Sequence, residues 1–173
     1  MTATDLFKSL TILVLLGACA SVPTETAPAA PKQDAATQDR HSGYYYPALT
    51  SHEIYKARAQ TLKAANRDTR LGFVTAITKQ QLERRYAPAT AIFAKGEQAE
   101  KLIIVALEAG TISTIYQGRA MLAQFTATSR LSPLFAELGV QGFFTFFDLA
   151  KLLGFKTITI SDGVTWAHQI TVR

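Results

Sequence analysis

Hydrophobic positions fall into three regimes along this chain. Leu10-Thr11-Ile12-Leu13-Val14-Leu15-Leu16 is one short apolar run near the start. Residues 20–42 then hold few large apolar side chains, and from Gly43 onward apolar runs and helical periodicities succeed one another. In that last region Tyr55, Ala57, Ala59 and Thr61 alternate with Ile54, Lys56, Arg58 and Gln60. This predicts an edge strand with a charged outer face, although Thr50-x-x-Glu53 also fits a capping box opening a helix. Leu71 to Ile77 reads as a strand, with Thr78-x-x-Gln81 capping a short helix to about Arg85 and Pro88 marking the break after it. Ala91–Ala94 and Leu102–Leu107 read as an antiparallel hairpin around the polar stretch 95–101. The second of these is apolar on both faces, which predicts a central strand. Glu108-Ala109-Gly110 turns the chain into a further strand, Thr111 to Tyr116.

Helical spacing takes over next. Arg119 to Ser129 places Met121, Leu122 and Phe125 on one face. Ser132-Pro133 reads as N-cap and first helical residue of a short helix ended by Gly139. Phe143 to Leu153 forms a further amphipathic helix, with Phe143, Phe146, Phe147, Ala150 and Leu153 on its apolar face and Gly154 as its stop. The chain closes with two β-rich runs, Lys156–Ser161 and Val164–Val172, around Asp162-Gly163, a dipeptide suited to a type I′ hairpin turn. The order predicts an α+β domain over residues 43–173: a mainly antiparallel sheet, two or three helices on one face, and a C-terminal β-hairpin.

Composition changes little in this picture. With 173 residues, 48% hydrophobic and 18% charged, the chain fits one globular domain. Its single cysteine changes more. Residues 1–18 read as a signal peptide, with Asp5 and Lys8 in a short polar start and an apolar run too short to span a bilayer. Leu16-Gly17-Ala18-Cys19 resembles the bacterial lipobox, which implies cleavage before Cys19 and lipid on its thiol. By the sorting rules known for such proteins, Ala20 in place of Asp implies the outer membrane. Residues 19–42 then form the lipidated cysteine and a Pro/Ala/Thr tether expected to stay disordered. A flexible chain of that length spans on the order of 25 Å. A lone cysteine also leaves the mature domain without disulfides or thiolate metal sites.

Charge is uneven along the domain. Lys56, Arg58, Lys63, Arg67, Arg70, Lys79, Arg84 and Arg85 face only Glu53, Asp68 and Glu83 within residues 53–85, a net +5. Such a region suits an anionic envelope polymer, a glycolipid or an acidic envelope protein, with Lys56, Arg58, Arg67, Arg70, Arg84 and Arg85 as the surface. A plain solvated surface is the simpler account of the same charges. No nucleic acid is expected as partner of an exported chain without an aromatic–basic platform.

Motifs for phosphate binding, dinucleotide binding, serine hydrolysis and zinc peptidases are absent from the sequence. His41 falls in the tether and His52 in the uncertain segment, so no metal set is expected, and no cofactor is implied. His168 shares a strand face with Val164, Trp166, Ile170 and Val172. An imidazole on an apolar face needs a partner, so His168 with Trp166 marks either a pocket or a satisfied core histidine, the commoner outcome. Asp148, with Lys151 three residues on, reads as a surface pair. Tyr44-Tyr45-Tyr46 reads as rings packed on the domain, with stacking on a sugar or peptide as the alternative.

Tyr44-Tyr45-Tyr46-Pro47, Ala91-Ile92-Phe93-Ala94-Lys95-Gly96, Phe144-Thr145-Phe146-Phe147-Asp148-Leu149 and Ile160-Ser161-Asp162-Gly163 together resemble a family of small alphaproteobacterial exported proteins across nearly all of residues 43–173. Some of its members carry the name molybdopterin-guanine dinucleotide biosynthesis protein A. The resemblance implies an exported protein, with that biosynthetic role as an alternative, and it supplies no active-site residues. The expectation is a non-enzymatic binding module anchored by lipid, with its domain in the periplasm. A small-ligand or enzymatic site near His168 is the competing expectation.

Overall fold

The computed structural model describes residues 46–173. The signal peptide, Cys19, the tether, His41, Tyr44 and Tyr45 lie outside the described residues. Among the described residues five strands form one sheet: β1 (Ser51–Tyr55), β2 (Thr90–Lys95), β3 (Lys101–Ala106), β4 (Thr157–Ser161) and β5 (Ala167–Val172), in the order β1-β5-β4-β3-β2. Among the described residues four helices, rather than the two or three expected, accompany them: α1 (Arg67–Leu82), α2 (Ile115–Arg130), α3 (Pro133–Leu138) and α4 (Phe146–Leu152). The class is α+β, but the sheet is mixed rather than mainly antiparallel. β2–β3 and β4–β5 are antiparallel hairpins, while β3–β4 and β1–β5 are parallel. The α2–α3–α4 crossover returns the chain to the starting end of the sheet, which makes β4 parallel to β3. β1 then pairs along the outer side of β5, at the far end of the chain.

The strands present one apolar face to the helices. Leu102, Ile104, Ile158, Ile160, Ile170 and Val172 are buried there against Leu122, Phe135, Phe146, Leu149 and Phe155. The other face buries Ile103 and Ala167 under Tyr46, with Phe93 and Val105 beside them. Among the described residues both clusters lie inside one compact unit. No described helix is long and apolar enough to cross a membrane.

Local chemistry explains most element ends. Asn66 caps α1, its Oδ1 accepting from Thr69 N at 2.9 Å. Ser132 caps α3 with Pro133 at its first position, and Gly139 closes it in the left-handed region at φ 66°. α4 starts at Phe146 rather than Phe143, because Thr145 and Asp148 form a capping box. Gly154 follows α4 at φ 80°, and Phe155 N donates back to Ala150 O.

Two segments expected as strands are not strands, and the edge strand expected to run on through Thr61 ends at Tyr55 as β1. Leu71–Ile77 is the middle of α1, and Thr78–Gln81 is its continuation rather than a new start. Phe73, Val74 and Ile77 pack on the core at helical spacing, a pattern that an apolar run containing Gly72 left ambiguous. Thr111–Ser113 is loop; Thr114 caps α2, which begins at Ile115. The last hairpin also differs in its turn. Asp162 is not in the left-handed region, and its Oδ1 accepts from Val164 N, Thr165 N and Trp166 N. The β4–β5 connection is therefore a five-residue loop built around one carboxylate, since Ser161 and Ala167 are the last paired residues.

Candidate functional site

α1 lies along β2, and α2 packs on α4. Between α1 and α2 a groove opens over the sheet. One lobe, about 510 Å³, is lined by Gln81, Arg84, Tyr86, Pro88, Thr90, Thr111, Gln117, Ala120, Met121, Gln124 and Phe125 among others. A second, of about 280 Å³, has Phe73, Ile77, Ile92, Phe125, Phe146 and Leu149 as its floor and Gln80, Gln81, Gln124, Thr128 and Ser132 around it. The lobes share Gln81, Arg84, Gln124 and Phe125. Helical periodicity builds both walls: Phe73, Ile77 and Gln80 line one side, with Arg84 just past the end of α1, and Gln117, Met121, Gln124 and Thr128 line the other. Phe73, Ile77, Met121 and Phe125 are core residues only partly buried, each leaving a surface toward the groove. Among the described residues Arg84 is the one charged side chain lining either lobe.

The basic residues do not form one surface. Lys56 and Arg58 are exposed on the segment after β1, with Arg58 Nη1 donating to Phe143 O at 3.3 Å. Arg67 opens α1, whereas Arg84 and Arg85 follow its end, a helix length of about 24 Å away. Arg70 is a correction: it is 6% exposed and structural. Its guanidinium donates to Gln98 O at 2.8 Å and Leu153 O at 3.1 Å, tying α1 to the β2–β3 loop and the end of α4. Asp148 is a second correction. Instead of pairing with Lys151 on the surface, it is fully buried. It accepts from Arg58 N and Ala59 N through Oδ1, and from Thr145 N and Thr145 Oγ1 through Oδ2.

His168 is 3% exposed and faces the helices, as its strand face requires. Its ring stacks beside Trp166 at 6.1 Å between centroids. Ser51, its register partner on β1, places Oγ 2.8 Å from Nδ1. On the other side Nε2 lies 3.3 Å from Glu53 Oε1, close enough for electrostatic contact but without hydrogen-bond alignment. Glu53 Oε2 accepts from Arg119 Nη2 at 2.8 Å. Partial burial would raise the Glu53 carboxyl, but the Arg119 hydrogen bond and the His168 contact outweigh it and hold the group below its ordinary value. Neither His168 nor Trp166 lines a cleft described above. A third cleft, of about 380 Å³, touches this cluster only through Glu53 and Arg119.

Arg84 was legible in the sequence as part of a basic region, but the groove it lines was not. Reading residues 71–77 as a strand removed one wall, and the glutamine positions carry meaning only once α1 is a helix. Comparison with known proteins returns no match: no family model fits the chain, and no curated protein or solved structure is similar to it.

Proposed function

We propose that this protein is a lipid-anchored cell-envelope binding module whose binding face is the α1–α2 groove. The anchor is Cys19, with the tether joining it to a domain on the periplasmic side of the outer membrane. The observation that carries the reading is a groove with an apolar floor, an amide-rich rim and Arg84 at the junction of its lobes. Apolar floors with a few placed polar groups are the usual make-up of a ligand site. An anionic envelope component fits the sign of Arg84. Two experiments test the two halves. Palmitate labelling should be lost on Cys19→Ala; a cleaved but unlabelled protein would make it a secreted one. A photo-crosslinker at Gln80 should capture a component from intact envelopes, and one at Leu131, 86% exposed and outside the groove, should not. Equal capture at both positions would remove the groove from the account.

A second reading places small-molecule chemistry at His168. Its support is the chain Ser51–His168–Glu53–Arg119, in which an exposed hydroxyl meets a buried imidazole held next to a carboxylate. With the proton on Nε2, Nδ1 is free to accept from Ser51 Oγ. A fluorophosphonate probe should then label Ser51 in the folded protein and fail on Ser51→Ala. Absence of labelling would leave the cluster as a fastening of β1 to β5.

A further inference from the structure

We infer that the groove takes a single-chain amphiphile with one anionic head, a fatty-acid-like molecule, rather than a polyanionic polymer. This rests on the reading of the groove as the binding face. Charge decides the class. A polymer with many phosphates or carboxylates requires several cations along its path, and among the described residues Arg84 is the one charged side chain lining either lobe. Lys79, in the last turn of α1, pairs with Glu83 at 3.9 Å, and Arg85 does not line the groove.

The asymmetry of the lobes sets the orientation. The second lobe is floored by Phe73, Ile77, Ile92, Phe146 and Leu149, side chains that offer a tail no hydrogen bond and exact no polar desolvation. The first is lined by Thr90, Thr111 and Gln117 together with Met121 and the exposed ring of Tyr86, a surface suited to a solvated head. Arg84 stands where the two meet, at the place a carboxylate would occupy with its chain running over Phe125. A guanidinium is suited to that role because its planar fork matches the two carboxylate oxygens. The amides of Gln81 and Gln124 flank the junction and add donors without adding charge.

The probe is cis-parinaric acid, a fluorescent linear fatty acid, with its methyl ester as the uncharged match. The chain from residue 20 serves as the protein, since it keeps every described residue and both core clusters. The acid should bind saturably at one site. Arg84→Gln should weaken it about tenfold or more, as loss of a charge-assisted contact implies. The ester should bind weakly and equally to both proteins, Arg85→Gln should leave the acid's affinity unchanged, and Gln124→Trp should abolish binding by filling the junction. Equal binding of acid and ester, indifference to Arg84→Gln, or binding that survives Gln124→Trp would overturn the inference. Parinaric acid that does not bind, while the Gln80 crosslinker still captures an envelope component, would overturn the acyl ligand and leave the groove standing. Failure of both would remove both.

Discussion

Replacing Asp148 with alanine should be among the most damaging single changes in this domain, and the structure says by how much. The carboxylate is fully buried, and it holds two separate stretches of chain. Oδ1 accepts from Arg58 N and from Ala59 N at 3.2 Å, while Oδ2 accepts from Thr145 N and Thr145 Oγ1, each at 2.8 Å. Asp148→Ala takes the acceptor from three backbone N–H groups and a hydroxyl, the Ala59 N–H buried and the others part-buried. An unsatisfied buried donor costs about 1–3 kcal/mol, though relaxation and entering water make such costs less than additive. The sum expected is about 4 kcal/mol, a large part of the roughly 5–15 kcal/mol that a domain has. Urea unfolding followed by Trp166 fluorescence reads it. With a slope of about 2 kcal/mol per molar, the midpoint should fall by about 2 M. Thr145→Ala removes one hydroxyl and one cap, and should cost only about 1 kcal/mol. If Asp148→Ala cost less than about 1 kcal/mol, the segment after β1 would not be held by this carboxylate.

Three further outcomes follow from the same geometry. Arg70→Met should lower stability by about 2–4 kcal/mol, because Gln98 O and Leu153 O lose a charged donor, yet leave ligand binding in the groove unchanged; thermal melts paired with parinaric acid titrations check this. Gly154→Ala should destabilise by more than about 1 kcal/mol in the same melts, since its φ of 80° disfavours a side chain and a Cβ would lie 2.6 Å from Arg70 Nη1. Slight burial would raise the Asp162 carboxyl, but donation from Trp166 N, Val164 N and Thr165 N outweighs it and brings the group down to about 2. A folded value below the unfolded one near 3.8 gives stability that is complete above about 4 and is lost as pH falls toward 2, so Asp162→Asn should flatten the acid limb of a stability–pH curve.

Much of the fold was legible because it is local. The β2–β3 hairpin, the interior placement of β3, the Ser132-Pro133 start and Gly139 end of α3, and the strands of the last hairpin each follow from a few adjacent residues. The mixed sheet was not, because the pairing of β1 with β5 joins positions 117 apart in sequence, and nothing near Ser51 announces it. Leu71–Ile77 failed for a different reason: an apolar run with a glycine satisfies strand and helix alike, and tertiary packing on β2 decides. Asp148 carried a readable signal, since Thr145-x-x-Asp148 is a capping-box spacing, but the longer apolar face drawn from Phe143 hid the true start of α4. The basic region between 53 and 85 was legible as charge and not as surface. The fold buries Arg70, leaves Lys56 and Arg58 on the segment after β1 and parts Arg67 from Arg84 and Arg85 by the length of α1, so that among the described basic residues Arg84 alone lines the groove.

The most direct test of a groove that holds an anionic amphiphile is native mass spectrometry of the protein released gently from envelopes. Wild type should carry one non-covalent adduct with the mass of an acyl acid, and Gln124→Trp, expressed and released the same way, should be bare. A wild-type protein without any adduct, or an adduct of equal occupancy on Gln124→Trp, would contradict the account.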